Sequence, residues 1–199
     1  MYSVIRIFLH YFFKIVFRCK IIGLENIPGS GRAIIASNHV SLFDPPVVGT
    51  AFVRPIHFMA KEELFTTPII GWIFKKLKAF PVRRATADRT AIRQAISILE
   101  NEELLGLFPE GTRSVTGQLG KPETGLAMIA LKTGAPIIPT AVIGTNKVCK
   151  NSQLLPRFTV KFGKPIAVTQ GKADREAMEK LSTQIMQEIA LLLQEEVNF

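Results

Sequence analysis

Cysteine is scarce in this chain: Cys19 and Cys149 are the only two in 199 residues, far apart and outside any metal-ligand spacing. That excludes a disulfide scaffold and fits a reducing compartment. Neither thiol has a histidine or base motif beside it, so neither is read as a nucleophile. A G-x-S-x-G elbow is missing as well, which leaves a serine acyl-enzyme without a visible nucleophile. There is no His/Cys/carboxylate cage with zinc-site spacing, no internal repeat and no low-complexity segment. Acidic residues are the short side of the charge balance, 16 against 25 lysines and arginines, for a formal charge of +9. Such an excess suits anionic lipid headgroups, phosphorylated substrates or nucleic acid, and composition alone does not choose among them.

A long unbroken apolar run is absent too. Residues 1–22 (MYSVIRIFLHYFFKIVFRCKII) are strongly apolar, yet Arg6, His10, Lys14 and Arg18 interrupt them every four residues. A spanning helix wants roughly 20 apolar residues with few charges, and a signal peptide wants a clean apolar centre and a small-residue cleavage site. Neither pattern is met. A spacing of four gathers the cations into one slowly drifting stripe on an otherwise apolar cylinder. Residues 1–22 are therefore expected to be an N-terminal amphipathic, membrane-associating helix, its basic stripe facing anionic headgroups. A core helix with snorkelling cations is the alternative.

What is present beyond residue 22 is an alternation. RAIIASN (32–38), PIHFMAK (55–61), LLGLF (104–108), IIPTAVIG (137–144) and FTVKFG (158–163) read as strands. Helical periodicity runs over 87–100, over 123–133 until Gly134, and from Asp174 to Glu196, while 68–77 forms a short helix or interfacial segment. Asp44 before Pro45 and Pro46 reads as a helix start, with Asp44 as the N-cap. Strands alternating with helices predict one α/β domain over residues 23–199, with a mixed, mostly parallel sheet flanked by helices.

Three clusters carry chemistry. In NHVSLFDPP, His39 and Asp44 are five apart, a spacing that keeps them apart on a helix but lets them meet in a turn between strand and helix. An imidazole held by a carboxylate is a usable general base at neutral pH. FPEGTRS (108–114) follows a buried strand, which puts Glu110 and Arg113 at a strand end where open α/β sheets bind ligands. Arg113 offers a planar fork for phosphate, Glu110 an acceptor for a polyol, and Gly111 close backbone approach. Lys61, with KAFPVRR ending in Arg83 and Arg84, interleaves cations with Trp72, Phe74 and Phe80. That pattern suits a phosphate or a membrane surface.

Together these clusters resemble the glycerolipid acyltransferases, in particular the bacterial 1-acyl-glycerol-3-phosphate acyltransferases. NHVSLFD is similar to the family's first block, KAFPVRR with upstream Lys61 to the second, FPEGTRS to the third, and APIIPTAV to the fourth. In order, they span residues 38–142. The resemblance implies His39 as base, Asp44 as its orienting partner, Glu110, Gly111, Thr112 and Arg113 as acceptor-binding residues, and Lys61 and Arg83 near the phosphate. It further implies direct transfer from acyl-CoA or acyl-ACP to 1-acyl-sn-glycerol 3-phosphate, with no cofactor and no metal. The expected partners are a membrane phospholipid surface, the two substrates and acyl carrier protein, at the cytoplasmic face of a bacterial membrane. The same blocks would serve glycerol 3-phosphate or another lyso-lipid. A basic nucleic-acid-binding protein is the distant rival, because the aromatics cluster with apolar residues instead of alternating as a stacking platform.

Overall fold

The computed structural model of the chain describes residues 1–83, 88–148 and 155–195. Arg84, Cys149 and the end residues of two expected helices, Ala87 and Glu196, lie outside the described residues. Along the chain come α1 (Tyr2–Val16), β1 (Lys20–Ile22), β2 (Ala33–Ser37), α2 (Asp44–Ala51), β3 (Ile56–Lys61), α3 (Pro68–Lys76) and β4 (Phe80–Val82). After them come α4 (Arg89–Glu100), β5 (Leu104–Leu107), α5 (Gly125–Thr133), β6 (Ile137–Ile143), β7 (Thr159–Phe162) and α6 (Arg175–Gln194).

The strands form one seven-stranded sheet in the order β1-β7-β6-β2-β5-β3-β4. Every neighbouring pair is parallel except β6 with β7. The period-2 alternation of side chains divides each central strand between two cores. Ile34 and Ala36 of β2 pack with α4, α5 and α6, whereas Ala33 and Ile35 pack with α1 and α2. Burial on both faces is why these strands read as continuous apolar runs. Each fully buried Ile or Leu contributes about 1.5–3 kcal/mol.

Local signals set several boundaries. The Asp88 carboxylate accepts from the amides of Thr90 and Ala91 to start α4, and Asp174 does the same for α6 through Ala177. Gly134, at φ 65°, ends α5 in the left-handed conformation that glycine adopts without a Cβ penalty.

Three sequence expectations need correction. The helix over 1–22 stops at Val16, and Lys20–Ile22 is instead an edge strand paired with β7. Phe17 turns into the core and stacks on Phe158 at 4.2 Å, so the chain cannot continue along the helix axis. The first half of the basic stripe of α1 also faces inward, whereas Lys14 and Arg18 stay exposed. His10 Nδ1 donates to Thr50 O at 3.1 Å and Arg6 to Phe52 O at 3.4 Å, both at the end of α2, while Val4, Ile7, Phe8, Tyr11 and Ile15 are exposed. The carbonyls of a helix's last turn need donors, and these two side chains supply them. Finally, Asp44 does not cap its own helix. It is the first residue of α2, after Phe43, and its carboxylate is turned back onto residues 39–41.

Candidate active site

The site is built at the carboxyl ends of three neighbouring parallel strands. β2 ends at Ser37 and delivers Asn38 and His39; β5 ends at Leu107 and delivers Phe108 to Arg113; β3 ends at Lys61. His39 is buried, with its Nδ1 donating to Asp44 Oδ2 at 2.9 Å. That contact fixes the tautomer and leaves Nε2 as the ring's acceptor. Phe108 stacks on the imidazole at 4.0 Å with an 18° tilt, so the ring has one resting plane.

Asp44 is fully buried and fully partnered. Oδ2 accepts from the Val40 and Ser41 amides at 2.6 and 2.7 Å as well as from His39, and Oδ1 accepts from Thr145 Oγ1 at 2.6 Å. Four donors on one carboxylate leave its orientation no freedom. A buried charge is tolerated when it is hydrogen-bonded in this way.

Glu110 lies behind the histidine. Its Oε1 accepts from the His39 amide at 3.1 Å and its Oε2 from the Gly120 amide at 2.8 Å. The residue is buried and does not line the adjoining cavity. Here it ties the base's backbone to the loop that follows β5. Gly111, at φ 66°, turns that loop, and the Ser114 amide donates to His39 O at 2.8 Å. Thr112 is exposed on the loop, outside the cavity lining.

A cavity of about 330 Å³ opens beside His39. Its walls are largely apolar, among them Leu42, Ile56, Phe58, Leu64, Phe74 and Leu77, while His39, Lys61 and Arg113 bring polar groups to it. Arg113 is exposed, with its side chain on the lining; Lys61 Nζ lies 3.0 Å from Glu63. Arg83 stands outside the lining at the end of β4, its guanidinium 3.1 Å from Glu62. The structure thus brings His39, Asp44, Lys61 and Arg113 together, with Glu110 in support, and leaves Arg83 and Thr112 at the periphery. Burial pushes the Cys19 thiol up to about 11, which keeps it a neutral, poor nucleophile.

Two functional residues escape sequence reasoning. Asn38 forms a two-way link to β6, donating to Val142 O at 3.0 Å and accepting from Val142 N at 2.7 Å. Thr145 reaches Asp44 from a segment 101 residues away. Neither carries a local signal: the partners are distant in sequence, and only the β2–β6 pairing makes them neighbours.

The fold and site thus combine a mostly parallel α/β sheet, a His–Asp pair at its strand ends, and an apolar cavity that Lys61 and Arg113 also line. The chain matches the model of the Acyltransferase family over residues 18–143, and it belongs to that family. A 1-acyl-sn-glycerol-3-phosphate acyltransferase of Bacillus subtilis is 36% identical over 126 residues, which cover 63% of this chain and 62% of that protein. The chloroplastic 1-acyl-sn-glycerol-3-phosphate acyltransferase LPAT1 of Arabidopsis thaliana is 32% identical over 135 residues, 66% of this chain. The chain spans only 38% of that plant relative's length. The crystal structure of the 1-acyl-sn-glycerophosphate acyltransferase PlsC from Thermotoga maritima matches with a TM-score of 0.76 at 28% identity, over 99% of this chain and 83% of that one.

Proposed function

We propose that the chain transfers a fatty acyl group from an acyl thioester, acyl-CoA or acyl-ACP, to the free hydroxyl of 1-acyl-sn-glycerol 3-phosphate, giving phosphatidic acid. The observation that carries this reading is the His39–Asp44 pair, oriented by four hydrogen bonds, at the edge of an apolar cavity that also holds Lys61 and Arg113. The names of the bacterial and plant relatives support the choice of acceptor. His39 Nε2 takes the proton of the acceptor hydroxyl as its oxygen attacks the thioester carbonyl. Asp44 supports the imidazolium that forms. The tetrahedral intermediate collapses, the C–S bond breaks, and the thiol leaves with the proton returned by His39. Arg113 and Lys61 hold the phosphate, and the acyl chain lies along the apolar wall.

The outward apolar face of α1 supports a membrane phospholipid surface as the place of action. Among the described residues no helix is long and apolar enough to cross a membrane. The test supplies a long-chain acyl-CoA and 1-acyl-glycerol 3-phosphate to purified protein and follows thiol release beside H39A. Acceptor-dependent release that collapses in H39A is expected. Equal release from both proteins would sink the assignment of His39, and no acceptor-dependent release with CoA or carrier-protein thioesters would sink the reaction.

A further inference from the structure

Helix α3 carries a face that the proposed reaction does not use. At the spacing i, i+3, i+4, i+7, Ile69, Trp72, Ile73 and Lys76 share one side of it. The first three are 73%, 49% and 37% exposed. The opposite side packs inward. Gly71 is buried so closely that a methyl group there would sit 2.6 Å from the Phe65 carbonyl oxygen, and Phe74 meets the Phe65 ring edge-on at 5.9 Å while lining the cavity. The outward direction of the three apolar side chains is therefore fixed by tight packing behind them.

Cations border this apolar face. Lys75 and Lys76 close the helix, Lys78 follows, and the Lys76 ammonium lies 5.9 Å from the centre of the Trp72 ring. No acidic residue stands between Glu63 and Asp88. Apolar side chains bordered by tryptophan and lysine match the layered chemistry of a bilayer surface, with the acyl region below and anionic headgroups above. Tyr2 and Arg6 of α1 line the same cavity as Phe74 and Leu77, so the two helices flank one opening.

We propose that α3 is a second docking element, which seats Ile69, Trp72 and Ile73 in an anionic phospholipid surface while α1 engages the same leaflet. This deepens the proposed function, on which it rests for the bilayer as the source of acceptor. Docking through both helices holds the cavity against the leaflet, so a lipid acceptor reaches His39 without crossing water.

Trp72 is the sole tryptophan, so its emission reports on α3 alone. Full-length protein is mixed with vesicles of phosphatidylcholine, with or without phosphatidylglycerol, and with brominated acyl chains as quenchers. Anionic vesicles should shift Trp72 emission to the blue, and brominated chains should quench it. K75Q/K76Q should weaken partition about 25- to 30-fold, at about fivefold per charge removed. I69S/I73S should lose the quenching yet turn over a detergent-dispersed lyso-lipid at the wild-type rate. Protein that sediments with vesicles while Trp72 stays unquenched would overturn the proposal, leaving α1 as the only dock. Equal quenching on zwitterionic and anionic vesicles would overturn the anionic surface. Because emission is read without substrate, a chain that fails to turn over lysophosphatidic acid defeats the proposed function and leaves the docking result to stand separately.

Discussion

Replacing Thr145 with valine removes one hydroxyl and little volume, which makes it a clean probe of how the His39–Asp44 pair is held. Thr145 is 1% exposed, and its Oγ1 lies 2.6 Å from Asp44 Oδ1. In T145V that oxygen, on a carboxylate with no solvent exposure, is left without its partner. A hydrogen bond to a charged group is worth about 1.5–3 kcal/mol. If that orientation energy is expressed in the transition state, kcat falls about 10- to 150-fold at 1.36 kcal/mol per decade. The upper bound is set by spoiling the orienting carboxylate itself, which costs roughly ten-thousand-fold in the serine-protease case. KM should hold, because Thr145 does not line the cavity. Thiol-release kinetics on wild type, T145V and T145S decide it, with circular dichroism confirming that each is folded. T145S restores the donor and should recover most of kcat. A folded T145V within twofold of wild type would refute the reasoning, and so would a T145S as impaired as T145V.

Other sites give sharper stability readings. Lys161 is buried on β7, and its Nζ donates to Leu192 O at 2.8 Å and Glu195 O at 2.7 Å, so K161M strands the last carbonyls of α6. It should lower unfolding stability by about 2–3 kcal/mol in a urea titration. A Cβ on Gly106 would lie 2.2 Å from the Phe58 ring, which itself lines the cavity. G106A should therefore cost about 1–3 kcal/mol and raise KM by displacing that wall. Burial holds the His57 imidazole below its ordinary 6.5, with Lys78 adding to the depression and Glu103 opposing it. The unfolded chain thus binds the proton more readily than the folded one, and stability falls as pH drops through 6.5. Melting curves at pH 7.5 and 5.5 should show a larger loss for wild type than for H57Q.

The parts of the site legible from sequence are those whose physics is local. His39 and Asp44 meet inside one turn, and that turn needs only the strand before it and the prolines after it. FPEGTRS follows a strand that any apolar count finds. Glu110 is different: its residue type was legible but its partners were not, because the His39 amide it accepts from is 71 residues away and is brought near only by the β2–β5 pairing. β1 was lost for a related reason. Three residues, Lys20 to Ile22, following directly on an apolar helix carry no period of their own, and only pairing with β7 makes them a strand.

α1 shows a subtler limit. Periodicity proves that a helix has two faces, but assigning the charged one outward assumes that the protein's interior makes no demand for charge. Here it does. The last turn of α2 leaves carbonyls without intrahelical partners, and Arg6 and His10 are spaced one helical turn apart to reach Phe52 O and Thr50 O. Tyr2, a further turn back, points its hydroxyl at Gly49 O, 3.5 Å away. With Tyr2, Arg6 and His10 turned inward, the apolar side chains opposite them lie outside. An exposed row of Val4, Ile7, Phe8, Tyr11 and Ile15 is costly in water and favourable against lipid. The same helix that completes α2 therefore carries the apolar face that the proposed function sets against a membrane. Because α2 begins with Asp44, the helix that carries this exposed apolar row and the carboxylate that orients His39 are anchored to opposite ends of one eight-residue helix.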